Sequence, residues 1–246
     1  MGEDDKLTAR FEELAQRALS SGVYTQTKFL NMAEQSELLK LRLPCPFTLF
    51  GGYEDAERRM AYFGSEELMG YAYEPPIVCM AIKPVNERFS DDLTHRDFLG
   101  ALMALGITRE MLGDIVLNGN EAYLFCLEPV AGFIAENLTE VKRTTVACRA
   151  CETPEFAQAE RRRESLVVAS ERLDVLISAA WKLSREDAKA LCEKGLVFVN
   201  SKQAVKGGAQ LGDGDIVSVR GRGRFRFLGL ERETKKGKLR VTVERY

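Results

Sequence analysis

The stretch that decides the fold runs from Arg172 to Val219. It opens as Arg172-Leu-Asp174-Val-Leu176-Ile177-Ser-Ala-Ala180 and restarts at Ser184-Arg185-Glu-Asp187-Ala188-Lys189-Ala-Leu191-Cys192. It then passes Gly195 into Leu196-Val-Phe-Val199-Asn200-Ser201-Lys202 and closes on Gly212-Asp-Gly-Asp215-Ile216-Val-Ser-Val219. Leu173, Leu176, Ile177 and Ala180 recur at i, i+3, i+4, i+7, the spacing of a short amphipathic helix. Ser184 offers a capping hydroxyl to a second helix, with Asp187 three residues on, where a capping box wants an acid. Ala188, Leu191 and Cys192 give that helix its inner face, and Arg185 and Lys189 share the outer one. Gly195 is a C-terminal stop. Two β-branched runs follow, separated by turn residues at Asn200-Ser201 and Gly212 to Asp215. Two short helices and a small twisted sheet are therefore expected, with Arg172, Arg185, Lys189, Lys202 and Lys206 on the outside.

Beyond this unit lies Arg220-Gly-Arg-Gly-Arg-Phe-Arg-Phe227, in which Arg220, Arg222 and Arg224 alternate with Gly and Phe. As a basic tail it suits nucleic acid: cations release condensed counterions, and Phe225 and Phe227 offer rings for bases. Alternate Phe in a strand equally suits a core. The charge distribution favours a polyanion partner. The 246-residue chain has a net charge of −2, but residues 1–159 hold 15 basic and 25 acidic side chains, whereas residues 160–246 hold 20 and 12. An acidic body is joined to a basic C-terminal part. The apolar share of 45% fits a folded globular chain. No apolar run approaches the ~18–20 residues that span a bilayer, and the acidic N-terminus is unlike a signal peptide. Cytoplasmic residence is expected.

Upstream, Leu7, Phe11, Leu14 and Ala18 predict a first helix ending at Gly22, and Phe29 to Leu39 a second, broken by Pro44 and Pro46. Phe47–Phe50 reads as a strand and Glu54 to Tyr62 as a short helix carrying Arg58 and Arg59, which either touch phosphate or lie on a solvated face. Pro75-Pro76 marks a boundary. From there the order is β-α-β-β-α-β: Ile77–Ile82, a helix opened by Thr94-His95-Arg96-Asp97, the hairpin around Asn118-Gly-Asn120, a helix from Pro129, and Thr144–Cys148. This is the order of a ferredoxin-like or RRM-like unit. Only Tyr123 and Phe125 qualify for an RRM's aromatic platform. His95 and Arg96 decorate a helix start, whose positive end can also accept a phosphate. Leu166-Val-Val168 is a strand that joins either neighbour.

The class is thus α+β, in three small domains: residues 1–74 mostly helical, 75–155 RRM-like, and 165–246 ending in the basic tail. No metal site and no cofactor are expected. Cys148-Arg-Ala-Cys151 is a lone pair with no second pair to complete four zinc ligands, and the six scattered cysteines read as buried free thiols.

The Arg172-Leu-Asp174, Ser184-Arg185, Gly195, Val199-Asn200, Lys206 and Gly214-Asp215-Ile216-Val217 positions, in this register, resemble the S4 RNA-binding domain. The resemblance implies that the helix pair and hairpin loop face RNA, through Arg172, Ser184, Arg185, Lys189, Asn200, Lys202 and Lys206. Two departures bear on loop shape: the usual Asn-Gly turn is Asn200-Ser201, and Gly207-Gly208 stands where Pro-Ser is common. Phe50-Gly-Gly-Tyr-Glu-Asp-Ala-Glu-Arg58, Thr94 to Ile107 and Gly113-Asp-Ile115 extend the likeness over nearly the full length, to the bacterial YlmH family. That resemblance implies a non-catalytic protein binding rRNA and tRNA on the large ribosomal subunit in rescue of stalled nascent chains. Through its acidic N-terminal region it leaves room for a protein partner.

The competing expectation is an RNA-modifying enzyme, of pseudouridine synthase or methyltransferase type, targeted by the same domain. Asp114 is its one candidate nucleophile, against a plain turn role. His95-Arg96-Asp97 is superficially kinase-like, but residue 102 is Leu where that loop needs Asn, and no Asp-Phe-Gly is present.

Overall fold

Phe11, Leu14, Ala15 and Ala18 are wholly or almost wholly buried along one stripe and make the first helix, α1 (Glu3–Ser21). Gly22, with φ of +66°, ends it. The computed structural model describes residues 3–155, 162–234 and 237–245. The chain divides into two compact units, Met1–Glu34 with Lys40–Gln158, and Gln35–Leu39 with Ala159–Tyr246. Helix and strand take nearly equal shares, 31% and 34%, and the paired strands run antiparallel, so the class is α+β.

In the first unit β1 (Thr25–Gln26) and the start of α2 (Met32–Leu38) precede β2 (Phe47–Phe50), β3 (Met60–Phe63) and the one-turn α3 (Glu66–Met69). β1, β3 and β2 form a small sheet in that order. The helix expected over Glu54 to Tyr62 is not formed. Met60, Ala61 and Phe63 are buried and pair with β2 in register from Phe47↔Phe63 to Phe50↔Met60. Arg59 bridges to Leu30. The backbone N–H groups of Glu57 and Arg58 bond the Asp114 carboxylate at 2.6 and 3.0 Å rather than helical carbonyls.

Next come β4 (Ile77–Pro84), α4 (His95–Ala104), β5 (Leu112–Asn118), β6 (Glu121–Leu127), α5 (Glu128–Asn137), the short β7 (Glu140–Val141) and β8 (Thr144–Cys151). The sheet order is β5-β6-β4-β8-β7. At the start of α4 the Thr94 N–H donates to Asp97 Oδ2 at 2.8 Å, the reciprocal half of a capping box. Lys142 pairs with the same oxygen at 2.9 Å. These bonds to its charged form, Lys142 first, hold the Asp97 carboxyl down to about 2. Phe98, Leu102 and Ile134 of the helices meet Met80, Ile82, Leu124 and Cys126 of the sheet in one core. β6 is buried from Ala122 to Leu127 because both its faces are covered.

The second unit carries β9 (Arg162–Val168), α6 (Leu173–Trp181), α7 (Arg185–Glu193), β10 (Val197–Val199), β11 (Lys202–Gln203), β12 (Ile216–Val219), β13 (Gly223–Glu233) and β14 (Leu239–Arg245). Its sheet runs β11-β10-β12-β13-β14-β9. Leu166-Val-Val168 therefore belongs here, paired with β14. The expected basic tail is likewise corrected, since its Arg224 to Phe227 lie inside β13, held between β12 and β14. Phe225 and Phe227 are fully buried beside Leu173, Leu176 and Ile177 of α6. The period of two that points both rings inward turns Arg224 and Arg226 to the other face.

Candidate nucleic-acid interface

The start of α6 is fixed by the loop after β11. Leu173 N–H donates to Ala209 O and Asp174 N–H to Gly207 O, both at 2.8 Å, so first-turn donors that a helix leaves unpaired are satisfied. The approach is close: a Cβ on Gly207 would lie 3.0 Å from Asp174 Cβ. Glycine at 207, where Pro-Ser is common in the domain the chain resembles, allows this approach without crowding Asp174. Arg172, the N-cap residue, reaches Asp174 with Nε at 3.1 Å and Nη2 at 2.9 Å, a two-pronged charge-assisted pair. Arg185 Nη2 lies 3.5 Å from the same carboxylate.

Ser184 is the N-cap of α7. Its hydroxyl accepts from Asp187 N–H at 3.0 Å and donates to Asp187 Oδ2 at 2.7 Å, so it is committed to the helix end. Ala188 and Cys192 are buried; Arg185 and Lys189 are exposed one turn apart. Lys189 pairs with Glu193 at 3.7 Å, with both side chains largely in water, a contact of little energy.

Lys202 follows the two-residue turn that joins β10 to β11. Asn200 and Ser201 have φ of +49° and +65°, and Val199 pairs directly with Lys202. Positive φ at both central residues is the requirement of a type I′ hairpin, normally Asn-Gly. Asn200 Nδ2 donates to Asp215 Oδ1 at 2.7 Å, and Asn200 Oδ1 accepts from Ile216 N–H at 2.9 Å. Asn200 thus locks the turn to the next strand. Ser201→Gly is expected to raise the thermal midpoint by about 2 °C. Relief of about 1–2 kcal/mol of left-handed strain exceeds the about 0.4–1 kcal/mol of added chain entropy. An unchanged or lower midpoint would show that Ser201 is not strained.

Arg172, Arg185, Lys189, Lys202 and Lys206 therefore lie exposed on the paired helices, the hairpin and the loop closing on α6. Arg220 and Arg222 do not join them. In the β10–β12 pairing Val197 faces Val219 and Val199 faces Val217, so the turn after β12 is at the end of the sheet away from Asn200-Ser201. There Trp181 Nε1 donates to Arg222 O at 2.9 Å, and the Arg220 guanidinium lies 5.7 Å from the Phe198 ring centroid. Arg224 is half-buried in β13.

The secondary candidates sit in the first unit. Tyr123 and Phe125 point to the face of β6 away from α4 and α5, where bases would stack on an RRM-like sheet. That place is taken by Tyr53, stacked on Phe125 with centroids 4.8 Å apart, and both sheet aromatics are buried. Arg58 is turned inward, with Nε on Leu112 O at 3.0 Å and Nη2 on Phe29 O at 3.1 Å and Arg109 O at 3.2 Å. Burial lowers it. Burial and then the Arg58 charge lower its neighbour Arg109 to about 10. Arg59 Nε donates to Ala56 O at 2.6 Å. His95 and Arg96 remain exposed on the first turn of α4.

The centre of this network is Asp114. It accepts from Tyr53 Oη at 2.8 Å as well as from Glu57 and Arg58 N–H. The sequence reading named Asp174 only within the Arg172-Leu-Asp174 motif and gave neither it nor Arg109 a role at a site. The only signals for them were an acid two residues after Arg172 and a cation before Gly113-Asp114.

Cys148 and Cys151 lie three apart on β8, so the strand period sends them to opposite faces. Cys148 packs against the helices and Cys151 lies 3.7 Å from Cys79. Burial pushes Cys126 up to about 12 and Cys148 to about 11. Among the described residues no group of three or more His, Cys, Asp or Glu is placed to hold a metal, and no helix is long and apolar enough to cross a membrane.

Residues 77–155 match the family described as "Putative RNA-binding domain in YlmH", a span that takes in β4 through β8. The chain is 32% identical over 202 residues to "Ribosome-associated protein quality control protein P2" of Bacillus subtilis (strain 168), covering 79% of this chain and 76% of that protein. Among solved structures it resembles "Cell division protein ylmH from Streptococcus pneumoniae", with a TM-score of 0.50 over 65% of this chain and 95% of that one. At 16% identity this last likeness speaks to fold alone. The matched RNA-binding domain model and a relative of this identity over most of both chains agree, and the chain belongs to the YlmH family.

Proposed function

We propose that this chain is a non-catalytic RNA-binding protein of the cytoplasm that grips structured RNA, rRNA and tRNA, on the large ribosomal subunit during quality control of stalled nascent chains. The observation that carries the reading is the exposed cationic strip of Arg172, Arg185, Lys189, Lys202 and Lys206. It occurs in a chain 32% identical to a ribosome-associated quality control protein. We assign residues 165–246 to an S4-type domain, 75–155 to an RRM-like domain whose stacking face is occupied by Tyr53, and 1–74 to an N-terminal domain. The acidic charge of residues 1–155 favours a protein partner over a second RNA clamp. The enzyme alternative is weakened because Asp114, its candidate nucleophile, is held by three donors.

Purified protein is expected to co-sediment with large ribosomal subunits at ~0.1 M salt and to be released near ~0.5 M, where counterions screen and compete. Co-sedimentation that persists unchanged at high salt would overturn a phosphate-led mode of binding.

A further inference from the structure

Among the described residues, Asp174 is the buried acidic side chain that contacts the cationic strip, through Arg172 and Arg185. It is 5% exposed, whereas the side chains of Arg172 and Arg185 are 45% and 61% exposed. One carboxylate thus sits behind two outward-facing guanidiniums. Its backbone is fixed as well, since Asp174 N–H is bonded to Gly207 O and its Cβ abuts Gly207. Of the five N–H donors on a guanidinium, Arg172 commits its Nε and one on Nη2 to Asp174, which leaves three not used by that carboxylate. Without the carboxylate, two like charges would repel one another and two long side chains would regain their rotamers.

We propose that Asp174 is a positioning residue that presents Arg172 and Arg185 side by side to consecutive RNA phosphates. The inference rests on the RNA-binding reading and deepens it. It makes a prediction opposite in sign to simple electrostatics. Replacing Asp174 by Asn removes one negative charge from behind the RNA-facing surface, which by long-range attraction alone tightens binding. If positioning dominates, binding weakens, because the two side chains must be ordered at the moment of contact.

The test is filter binding of purified large ribosomal subunits at ~0.15 M salt, using full-length protein. Asp174→Asn is expected to weaken binding roughly five- to tenfold. In an Arg172→Gln/Arg185→Gln background the same change is expected to have no effect or to tighten binding. Equal weakening in both backgrounds would mean that Asp174 acts through the fold, and would overturn the proposal. Unchanged or tighter binding by the single variant would overturn it too, leaving the RNA-binding reading intact. Failure of the wild-type protein to bind would sink both. Arg172→Lys keeps the charge and leaves the buried carboxylate in place while removing the two-pronged contact to it, so it serves if Asp174→Asn does not fold. It is expected to weaken binding about as much, and wild-type affinity in this variant would refute the two-pronged geometry.

Discussion

Exchanging Arg185 and Lys189 together for Glu is expected to abolish co-sedimentation with large ribosomal subunits, a loss of at least about 100-fold in affinity. Each cation that neutralises a phosphate adds about 0.9 to the slope of log affinity against log salt. Removing two flattens that slope by about 1.8, and the reversed charges repel the backbone as well. The fold should tolerate the exchange. Both side chains are exposed, while α7 is held by buried Ala188 and Cys192 and by the Ser184 cap. Glu at position 185 also suits the positive end of the helix, although it faces Asp174 across the lost ion pair. The thermal midpoint should therefore move little while binding disappears. Full co-sedimentation by this variant would remove α7 from the interface.

The α6–α7–β10 stretch was legible in the sequence because its signals are local and agree. A capping serine, a helical apolar spacing, a glycine stop and a β-branched run all name the same elements. Even the positive φ at Ser201 follows from its place in a two-residue hairpin. Residues Glu54 to Tyr62 were not legible, for the opposite reason. Their conformation is set by a carboxylate some fifty-six residues away, Asp114 on β5, which takes the N–H of Arg58. Arg58 looked like a surface cation because charge is read from composition, whereas its three carbonyl acceptors come from Phe29, Arg109 and Leu112. Phe225 and Phe227 could be read either as base-stacking rings or as core, and only the pairing of β13 with both β12 and β14 decides for the core. At the interface the sequence displayed the cations and concealed the anion behind them. Asp174 differs from an ordinary first-turn acid only through Arg185, eleven positions on, and the loop at Gly207.

Asp114 separates the binding and enzyme readings by their consequences. It stands in β5 and collects one hydroxyl and two backbone donors from the segment Tyr53 to Arg58. Its charge also favours the cationic forms of the nearby, largely buried Arg58 and Arg109. Asp114→Ala removes the acceptor that these three donors share and one of the anions near the two guanidiniums. Hydrogen bonds to a charged group are worth about 1.5–3 kcal/mol each, and they do not add fully when shared on one carboxylate. A loss of about 3–4 kcal/mol is therefore expected, lowering the midpoint by roughly 6–16 °C at the sensitivity of a chain this size. Asp114→Asn keeps the shape and one acceptor oxygen, and should cost about half as much. Neither change touches the helix pair, so wherever the variant remains folded, binding to large subunits should match the wild type. If Asp114 were instead a nucleophile on RNA, Asp114→Asn would erase a modification in rRNA or tRNA mapped by mass spectrometry, with stability barely altered. A large drop in midpoint with an unaltered modification map places this carboxylate in the scaffold, where it fastens the turn segment whose Tyr53 covers Phe125.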